Sequence, residues 1–228
     1  YFQAKVDQDA QTLYRIFGKS DDTGLDARKE ELKNEAVYIE DYVDIVCYTK
    51  PGLTEDSYVA YVTYEVKFRR VETLAPGLMW CYVVKDDNGN YIIRENVVGD
   101  EADYVAKQNQ SEDVRLLSKQ VNERLRQAID QTLADLIALT ELAENKFHAD
   151  IAAIFAGHHT LLDDDDLFDA ANDRLLTEQC TAEWAWHQVL MELSQQYRQL
   201  DDPYLQARYI DIEDILQRTL RHLQDVQE

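Results

Sequence analysis

Residues 111–145 read SEDVRLLSKQVNERLRQAIDQTLADLIALTELAEN, a stretch with neither Gly nor Pro. Ser111 can cap a helix, and the acidic side chains of Glu112 and Asp113 suit the N-terminal end of a helix dipole. Apolar side chains then recur every three or four residues, as on one helix face: Val114, Leu117, Val121, Leu125, Ile129, Leu133 and Leu136. The pattern predicts one uninterrupted helix from about Ser111 to about Asn145.

The sequence before this stretch is punctuated by turn-forming residues. Six of the seven glycines and two of the three prolines lie at or before Gly99. Segments rich in β-forming residues lie among them, at 37–49, 58–71, 78–85 and 91–94. The last two are joined by Asp87-Asn88-Gly89, a strong hairpin signal. Together with short helical segments near the N-terminus, this pattern predicts an α+β domain over residues 1–110.

The sequence after the long stretch keeps helical spacing. Further helices are predicted over four segments: 149–156, 165–178, 181–200 and 203–224. Short connections favour antiparallel neighbours, so these helices are expected to form an antiparallel bundle. The fold class is therefore α+β, with a first domain over 1–110, a shared junction helix over 111–145 and a helical domain over 146–228.

The charge of the chain restricts its partners. With 23 basic and 45 acidic side chains, the formal net charge is −22. Such a chain repels nucleic acid and anionic membrane surfaces, whereas a basic partner is favoured. No apolar run approaches the roughly 20 residues that span a bilayer, so a cytoplasmic protein is expected. The start, Tyr1-Phe2-Gln3, matches the end of a protease-cleavage tag and suggests recombinant expression. The sequence does not decide whether the chain forms homo-oligomers.

Three short segments of the first domain resemble a group of uncharacterised Firmicute proteins: YTKPG (48–52), YVTYEV (61–66) and APGL (75–78). Those proteins have the cone-shaped nuclear-transport-factor-like (cystatin-like) fold, in which a curved antiparallel sheet covers helices. The fold often encloses a pocket. Candidate lining residues are Tyr61, Tyr64, Trp80 and Tyr82, with Asp41 or Asp44 facing the pocket. Ordinary core and sheet packing is the alternative role for these side chains.

The helical domain has a more specific resemblance. The string AIFAGHHTLLDD (153–164) resembles the IFxxHxxxLxD segment in the helical subdomain of Enzyme I of the phosphotransferase system. AEWAW (182–186), LDDPYLQAR (200–208) and DIEDI (211–215) match the same subdomain in the same order. Within that family the chain is most similar to the Enzyme I-like portion of the phosphotransferase subunit of bacterial dihydroxyacetone kinase.

In that family the helical subdomain docks the small phosphocarrier HPr. The resemblance implies an HPr-docking surface made of Asp150, His158, Thr160, Leu161, Asp164, Asp165 and Asp166. Thr160 departs from the larger apolar residue often found at its position, which puts one apolar contact in doubt. Independently of the family, residues 146–228 have 17 acidic and 6 basic side chains, a charge suited to a basic partner.

The reactive part of the family is absent from this sequence. The Thr-Ser-His segment that contains the phosphorylated histidine is missing, as are the phosphoenolpyruvate-binding and metal-binding residues. We therefore expect no enzyme activity, no catalytic residue, no cofactor and no metal. The run from Asp163 to Asp166 lacks the spacing of a calcium loop. The pair His158-His159 lacks a partner at metal-ligand spacing. A helix-initiating acidic turn and partner docking remain the alternatives for the aspartates.

Three functions are open at this point. Two unrelated parts meet within one predicted helix, without the polar linker that usually separates natural domains. The leading hypothesis is therefore a designed chimera, an engineered helical fusion with a structural role and no catalysis. The alternative is a phosphotransferase-system binding module that docks HPr. The third is a small-molecule pocket protein or enzyme in the N-terminal cone.

Overall fold

The computed structural model describes residues 1–146 and 149–225. The chain divides into two compact units, Tyr1–Ser118 and Lys119–Glu228, here called the sheet unit and the helical unit. Among the described residues, no helix is both long enough and apolar enough to cross a membrane.

The sheet unit combines short helices with four strands, which confirms the predicted α+β class. Its elements are α1 (Phe2–Val6), α2 (Ala10–Ile16), α3 (Leu25–Tyr38), β1 (Ile39–Pro51), β2 (Ser57–Phe68), β3 (Ala75–Lys85), β4 (Tyr91–Ile93), α4 (Asp100–Asn109) and the start of α5 (Glu112–Val121). The strands pair antiparallel in the order β1-β2-β3-β4. The predicted hairpin between β3 and β4 is confirmed, with Gly89 at a positive φ of 83° in its turn.

The outer strand β1 is largely exposed along its length. The register of its pairing with β2 shifts between Val43 and Val46, which marks a β-bulge. Asp44 lies in this bulge with a φ of 51°, a left-handed conformation that Asp adopts more readily than most residues. The irregularity therefore falls in the middle of the strand that has no neighbour on its outer side within the described sheet.

The aromatic residues proposed to line a pocket in the sheet unit are engaged in packing. Tyr61 is buried, its hydroxyl donates to Asn109 Oδ1 at 2.7 Å, and burial raises the pKa of its hydroxyl. Tyr82 is fully buried and its hydroxyl accepts a hydrogen bond from the Leu53 amide at 2.9 Å. The candidate carboxylates Asp41 and Asp44 are exposed. The geometry of these residues fits the packing role better than the pocket role.

The described part of the helical unit contains the end of α5 and six further helices: α6 (Glu123–Lys146), α7 (Ala149–Leu162), α8 (Asp165–Glu178), α9 (Ala182–Arg198), α10 (Pro203–Gln206) and α11 (Tyr209–Asp225). Helix α6 packs against α7 and α11, and α9 packs against α8 and α11. One apolar core joins them, with Trp186 fully buried and Leu125, Leu136, Leu175, Leu190, Ile212, Ile215 and Leu216 also buried. Burying this much apolar surface is the main stabilising contribution to the unit.

The prediction of one uninterrupted helix over 111–145 is wrong at Asn122, which lies in a turn between α5 and α6. The side chain of Asn122 is fully buried and donates from Nδ2 to Asn172 Oδ1 at 2.6 Å. Asn is a weak helix former because its amide competes for nearby hydrogen bonds. The apolar periodicity continues across this position, so periodicity alone gave no sign of the interruption.

Two other helix limits differ from the prediction. The helix expected over 149–156 continues through Gly157 to Leu162, so His158 lies within a helix. The helix expected over 203–224 is divided into α10 and α11 around Ala207 and Arg208. By contrast, α8 has the predicted limits, because Asp164 caps its first turn.

The Asn122–Asn172 hydrogen bond is expected to stabilise the helical unit. Replacing Asn172 with Ala leaves the buried amide of Asn122 without its acceptor, so the free energy of unfolding should fall by about 1–3 kcal/mol. Chemical denaturation measures this loss. The matched control Asn145→Ala alters an exposed Asn, and we expect a change within about 0.5 kcal/mol. Equal stabilities of Asn172→Ala and the wild-type protein would contradict the assigned role of this bond.

Candidate docking site

The seven residues predicted to dock a partner all lie in the helical unit, on α7 and at the start of α8. Helix α7 has a buried face, with Ala152, His158 and Leu162, and an exposed face that includes Asp150 and Thr160. Leu161 is partly buried and packs against the core of the unit. Six of the seven residues are therefore exposed or partly exposed, and His158 is buried.

The four consecutive aspartates start α8. Asp164 is the N-cap and its Oδ1 accepts a hydrogen bond from the Asp166 amide at 3.0 Å, which confirms the helix-initiating turn. The exposed Asp165 pairs with Arg126 of α6 at 2.9 Å. Asp163 and Asp166 are exposed to solvent. Within 1–146 and 149–225, no cluster of three or more His, Cys, Asp or Glu side chains could hold a metal ion.

A first groove lies between α6 and α7 and is called the α6–α7 groove. It has a volume of about 310 Å³ and is lined by Ile137, Thr140, Glu141, Ala156, His159 and Thr160. The Thr160 hydroxyl donates to the Ala156 carbonyl oxygen at 3.0 Å, so this polar group is satisfied within its own helix. Ile137 is 48% exposed and gives the groove an apolar wall.

A second groove lies between α7 and the α10–α11 region and is called the α7–α10 groove. It has a volume of about 510 Å³ and is lined by Asp150, Ala153, Ile154, Tyr204, Ala207, Arg208 and Asp211. Tyr204 is 70% exposed and Ile154 is 49% exposed. Of its lining residues, the sequence had assigned only Asp150 to a site. The motifs at 153–164 and 200–208 contain most of the others, but a motif does not tell which side chains face solvent.

Arg208 fixes the position of Tyr204 in this groove. Its Nη1 donates to Asp211 Oδ2 at 2.9 Å, and its Nη2 donates to the Tyr204 hydroxyl at 3.1 Å. The hydrogen bond to Asp211 is the main cause that raises the pKa of Arg208. Gly157 leaves room for this side chain, because a Cβ at that position would lie 3.2 Å from Arg208 Nη1.

His158 lies beneath this surface and not on it, since only 5% of the residue is exposed. Its Nε2 lies 3.0 Å from Asp211 Oδ1, and its Nδ1 lies 3.4 Å from Asp214 Oδ2. Neither contact has the angles of a good hydrogen bond. The resemblance to Enzyme I placed His158 on the docking surface by its position in the motif. The continuation of α7 turns the imidazole inward.

The α7–α10 groove has the features of a binding surface. Burial raises the pKa of the Cys180 thiol to about 11, so it is a poor nucleophile near neutral pH. The exposed apolar side chains Ile154 and Tyr204 lie in a groove that also contains Asp150 and Asp211. Apolar anchors with acidic groups beside them suit a partner that presents apolar and basic side chains.

Comparison with known proteins identifies relatives of this chain. The model of a family described as "PEP-utilising enzyme, N-terminal" matches residues 74–208. The phosphoryl donor subunit DhaM of PEP-dependent dihydroxyacetone kinase is 72% identical over 102 residues in Klebsiella michiganensis, or 45% of this chain. The same subunit of Escherichia coli K12 is 62% identical over 113 residues, or 50% of this chain. The chain spans 22% and 24% of the length of these two relatives.

More distant matches include a phosphoenolpyruvate-protein phosphotransferase of Geobacillus stearothermophilus, which is 33% identical over 100 residues, or 44% of this chain and 17% of that relative. Among solved structures, a solution structure of Enzyme I matches with a TM-score of 0.45 and 26% identity. That match covers 48% of this chain and 44% of the other.

The cap of α10 is expected to hold Tyr204 in place. Asp202 Oδ1 accepts from the amides of Tyr204 and Leu205 at 2.8 and 3.3 Å. Replacing Asp202 with Ala should lower the free energy of unfolding by about 1 kcal/mol, the usual cost of losing an N-cap. Denaturation curves test this. Asp201→Ala is the matched control because Asp201 is an exposed neighbour that is not the cap. Equal stability losses in both variants would contradict the capping role.

Proposed function

The chain belongs to the family of PEP-utilising enzyme N-terminal domains, and on that premise we propose that its helical unit is a docking module for an HPr-like phosphocarrier. The observation on which this rests is the exposed face of α7 together with α10. There Ile154 and Tyr204 project from a groove that also contains Asp150, and the acidic turn at Asp163–Asp166 follows α7 directly.

This surface has the parts that a protein interface needs. Binding energy usually comes from a few apolar or aromatic anchors, and Tyr is among the most frequent of these. Tyr204 has an exposed ring, and its hydroxyl is already oriented by Arg208. The side chain of Tyr204 therefore loses little conformational entropy when a partner binds. The acidic side chains at the rim raise the rate of association with a basic partner and fix its orientation.

The names of the relatives support a role in phosphoryl transfer. They are phosphoryl donor subunits and phosphoenolpyruvate-protein phosphotransferases. This chain has no Thr-Ser-His segment, so the proposed role is to hold a phosphocarrier and not to be phosphorylated itself. In this proposal Leu161 contributes an apolar contact, Thr160 contributes a weaker one than a larger apolar residue would, and Asp164, Asp165 and Asp166 contribute charge.

The designed-fusion hypothesis stays a prediction, and family membership favours the docking role over it. Its rigid form required one unbroken helix, which Asn122 interrupts. The resemblance of the sheet unit to the nuclear-transport-factor-like fold likewise stays a prediction. We do not propose a ligand for the sheet unit, since its candidate pocket residues Tyr61 and Tyr82 are satisfied by internal hydrogen bonds.

The apolar anchors can be tested by titrating the chain with purified HPr in a calorimeter. Ile154→Ala and Tyr204→Ala should each weaken binding about tenfold, equivalent to about 1.4 kcal/mol. The control Trp184→Ala removes another exposed aromatic ring, 52% exposed, that lines neither groove. Its affinity should match that of the wild-type protein. No measurable binding by the wild-type protein would overturn the proposed function.

The acidic turn can be tested separately through the salt dependence of binding. Asp165→Asn combined with Asp166→Asn removes two charges and keeps the Asp164 cap, so folding should be retained. Affinity for HPr at low salt should fall several-fold, and its further loss between low and high salt should be smaller than for wild type. Asp173→Asn, at an exposed position later in α8, is the control. A salt dependence that is identical in all three proteins would exclude the acidic turn from the interface.

A further inference from the structure

The outer edge of β1 is the longer of the two open edges of the described sheet. β1 pairs with β2 on one side, and within the described part of the chain no backbone hydrogen bond joins residues 43–50 to any other segment. The opposite edge strand, β4, is three residues long and packs against α2. The backbone amide and carbonyl groups on the outer side of β1 can therefore pair with another strand.

Beyond the bulge, β1 is uncovered on both of its faces. Its pairing with β2 is regular from Val46 to Pro51. Alternate side chains of a strand point to opposite faces, so Val46 and Tyr48 share one face and Cys47 and Thr49 share the other. All of these side chains are exposed, Val46 by 45% and Tyr48 by 50%. A neighbouring strand would therefore gain side-chain contacts as well as backbone hydrogen bonds.

Acidic side chains flank this stretch at both ends. Asp41 and Asp44 precede it, Glu55 follows it in the loop between β1 and β2, and all of them are exposed. The basic residue of the stretch, Lys50, is already engaged, because its Nζ lies 2.9 Å from Asp113 Oδ2. Exposed carboxylates at both ends favour basic side chains of a partner, and the apolar stretch between them favours β-branched or aromatic ones.

We propose that the outer edge of β1 from Val46 to Lys50 docks a short extended segment of a basic partner protein, which adds to the sheet as a fifth strand. The segment has β-branched or apolar residues at its centre and Lys or Arg at both ends. Main-chain hydrogen bonds supply affinity, and the side chains select the partner. The bulge keeps the segment short, because regular pairing starts at Val46. The site belongs to the sheet unit and does not rest on the docking of HPr.

Cys47 reports directly on the occupation of this edge. Its thiol is exposed, whereas burial raises the pKa of the Cys81 and Cys180 thiols to about 11. Near neutral pH, iodoacetamide should therefore alkylate Cys47 first, since the thiolate is the reactive form. Paired side chains of neighbouring strands lie about 5 Å apart, so an added strand should shield this thiol.

The test uses the full chain and a blocked synthetic peptide, Lys-Lys-Val-Thr-Val-Thr-Lys-Lys. The control peptide has Pro in place of both central residues, which keeps every charge and interrupts the row of backbone donors. At saturation, the first peptide should slow the alkylation of Cys47 about fivefold, and the control peptide should leave the rate unchanged. Equal effects of the two peptides, or no effect of either, would overturn the proposal.

Amide hydrogen exchange shows where the peptide binds. Protection should rise at residues 46–50, whose outward amides gain hydrogen bonds, and stay unchanged at residues 91–93 of β4. Protection spread over the helical unit instead would indicate attraction to the overall charge of the chain and would contradict the site.

The charge of the site is tested with the double variant Asp41→Asn and Asp44→Asn. Asn tolerates the left-handed backbone at position 44 as well as Asp does, so the bulge should be retained. Affinity for the peptide should fall about fivefold at low salt. The control, Asp22→Asn with Asp87→Asn, removes the same charge at exposed positions away from this edge and should bind nearly as the wild type does. Equal affinities of the two double variants would overturn the proposed charge selection.

A second copy of this chain is the competing occupant of the edge. Analytical ultracentrifugation without peptide should show a monomer, because like charges on paired strands repel. A dimer in which Cys47 is already protected from alkylation would mean that the chain fills its own edge, and it would overturn the proposal.

Discussion

Burial of one face of α7 is the constraint on which the candidate docking surface depends. Ala152, His158 and Leu162 point into the unit, so Asp150, Ile154 and Thr160 must point out. Two grooves then border the same helix, one toward α6 and one toward α10. The position of α7 is in turn set by packing against α6 and by the contact of His158 with two aspartates of α11.

The sequence predicted correctly those structural features that are caused by neighbouring residues. Asp164 begins α8 at the predicted residue because capping needs only neighbouring backbone amides, and the β3–β4 hairpin follows from Asn88-Gly89. Features caused by distant contacts were missed. Asn122 turns the chain while bound to Asn172, fifty residues away, and Gly157 stays helical with Arg208 packed beside it. The motifs suggested the candidate docking residues, whereas their exposure required the structure.

The excess of negative charge serves several purposes within the helical unit. Asp164 stabilises a helix end, Asp165 pairs with Arg126, and Asp211 and Asp214 surround a histidine. Other acids of the unit pair with basic side chains as well, among them Glu192 with Arg174 and Glu213 with Arg198. The distribution of the acidic groups over the surface therefore matters more for a partner than their number.

The irregular edge strand of the sheet unit has a consequence for self-association. β1 exposes Ile45, Val46 and Tyr48 along an open edge, a template on which another chain could add a strand. The bulge at Asp44 breaks the regular spacing of backbone donors and acceptors that such an added strand would need. Glu40, Asp41 and Asp44 also place negative charges along that edge, so an identical strand would be repelled. Bulge and charge together make this edge a poor template for the strand-by-strand addition by which fibrils grow.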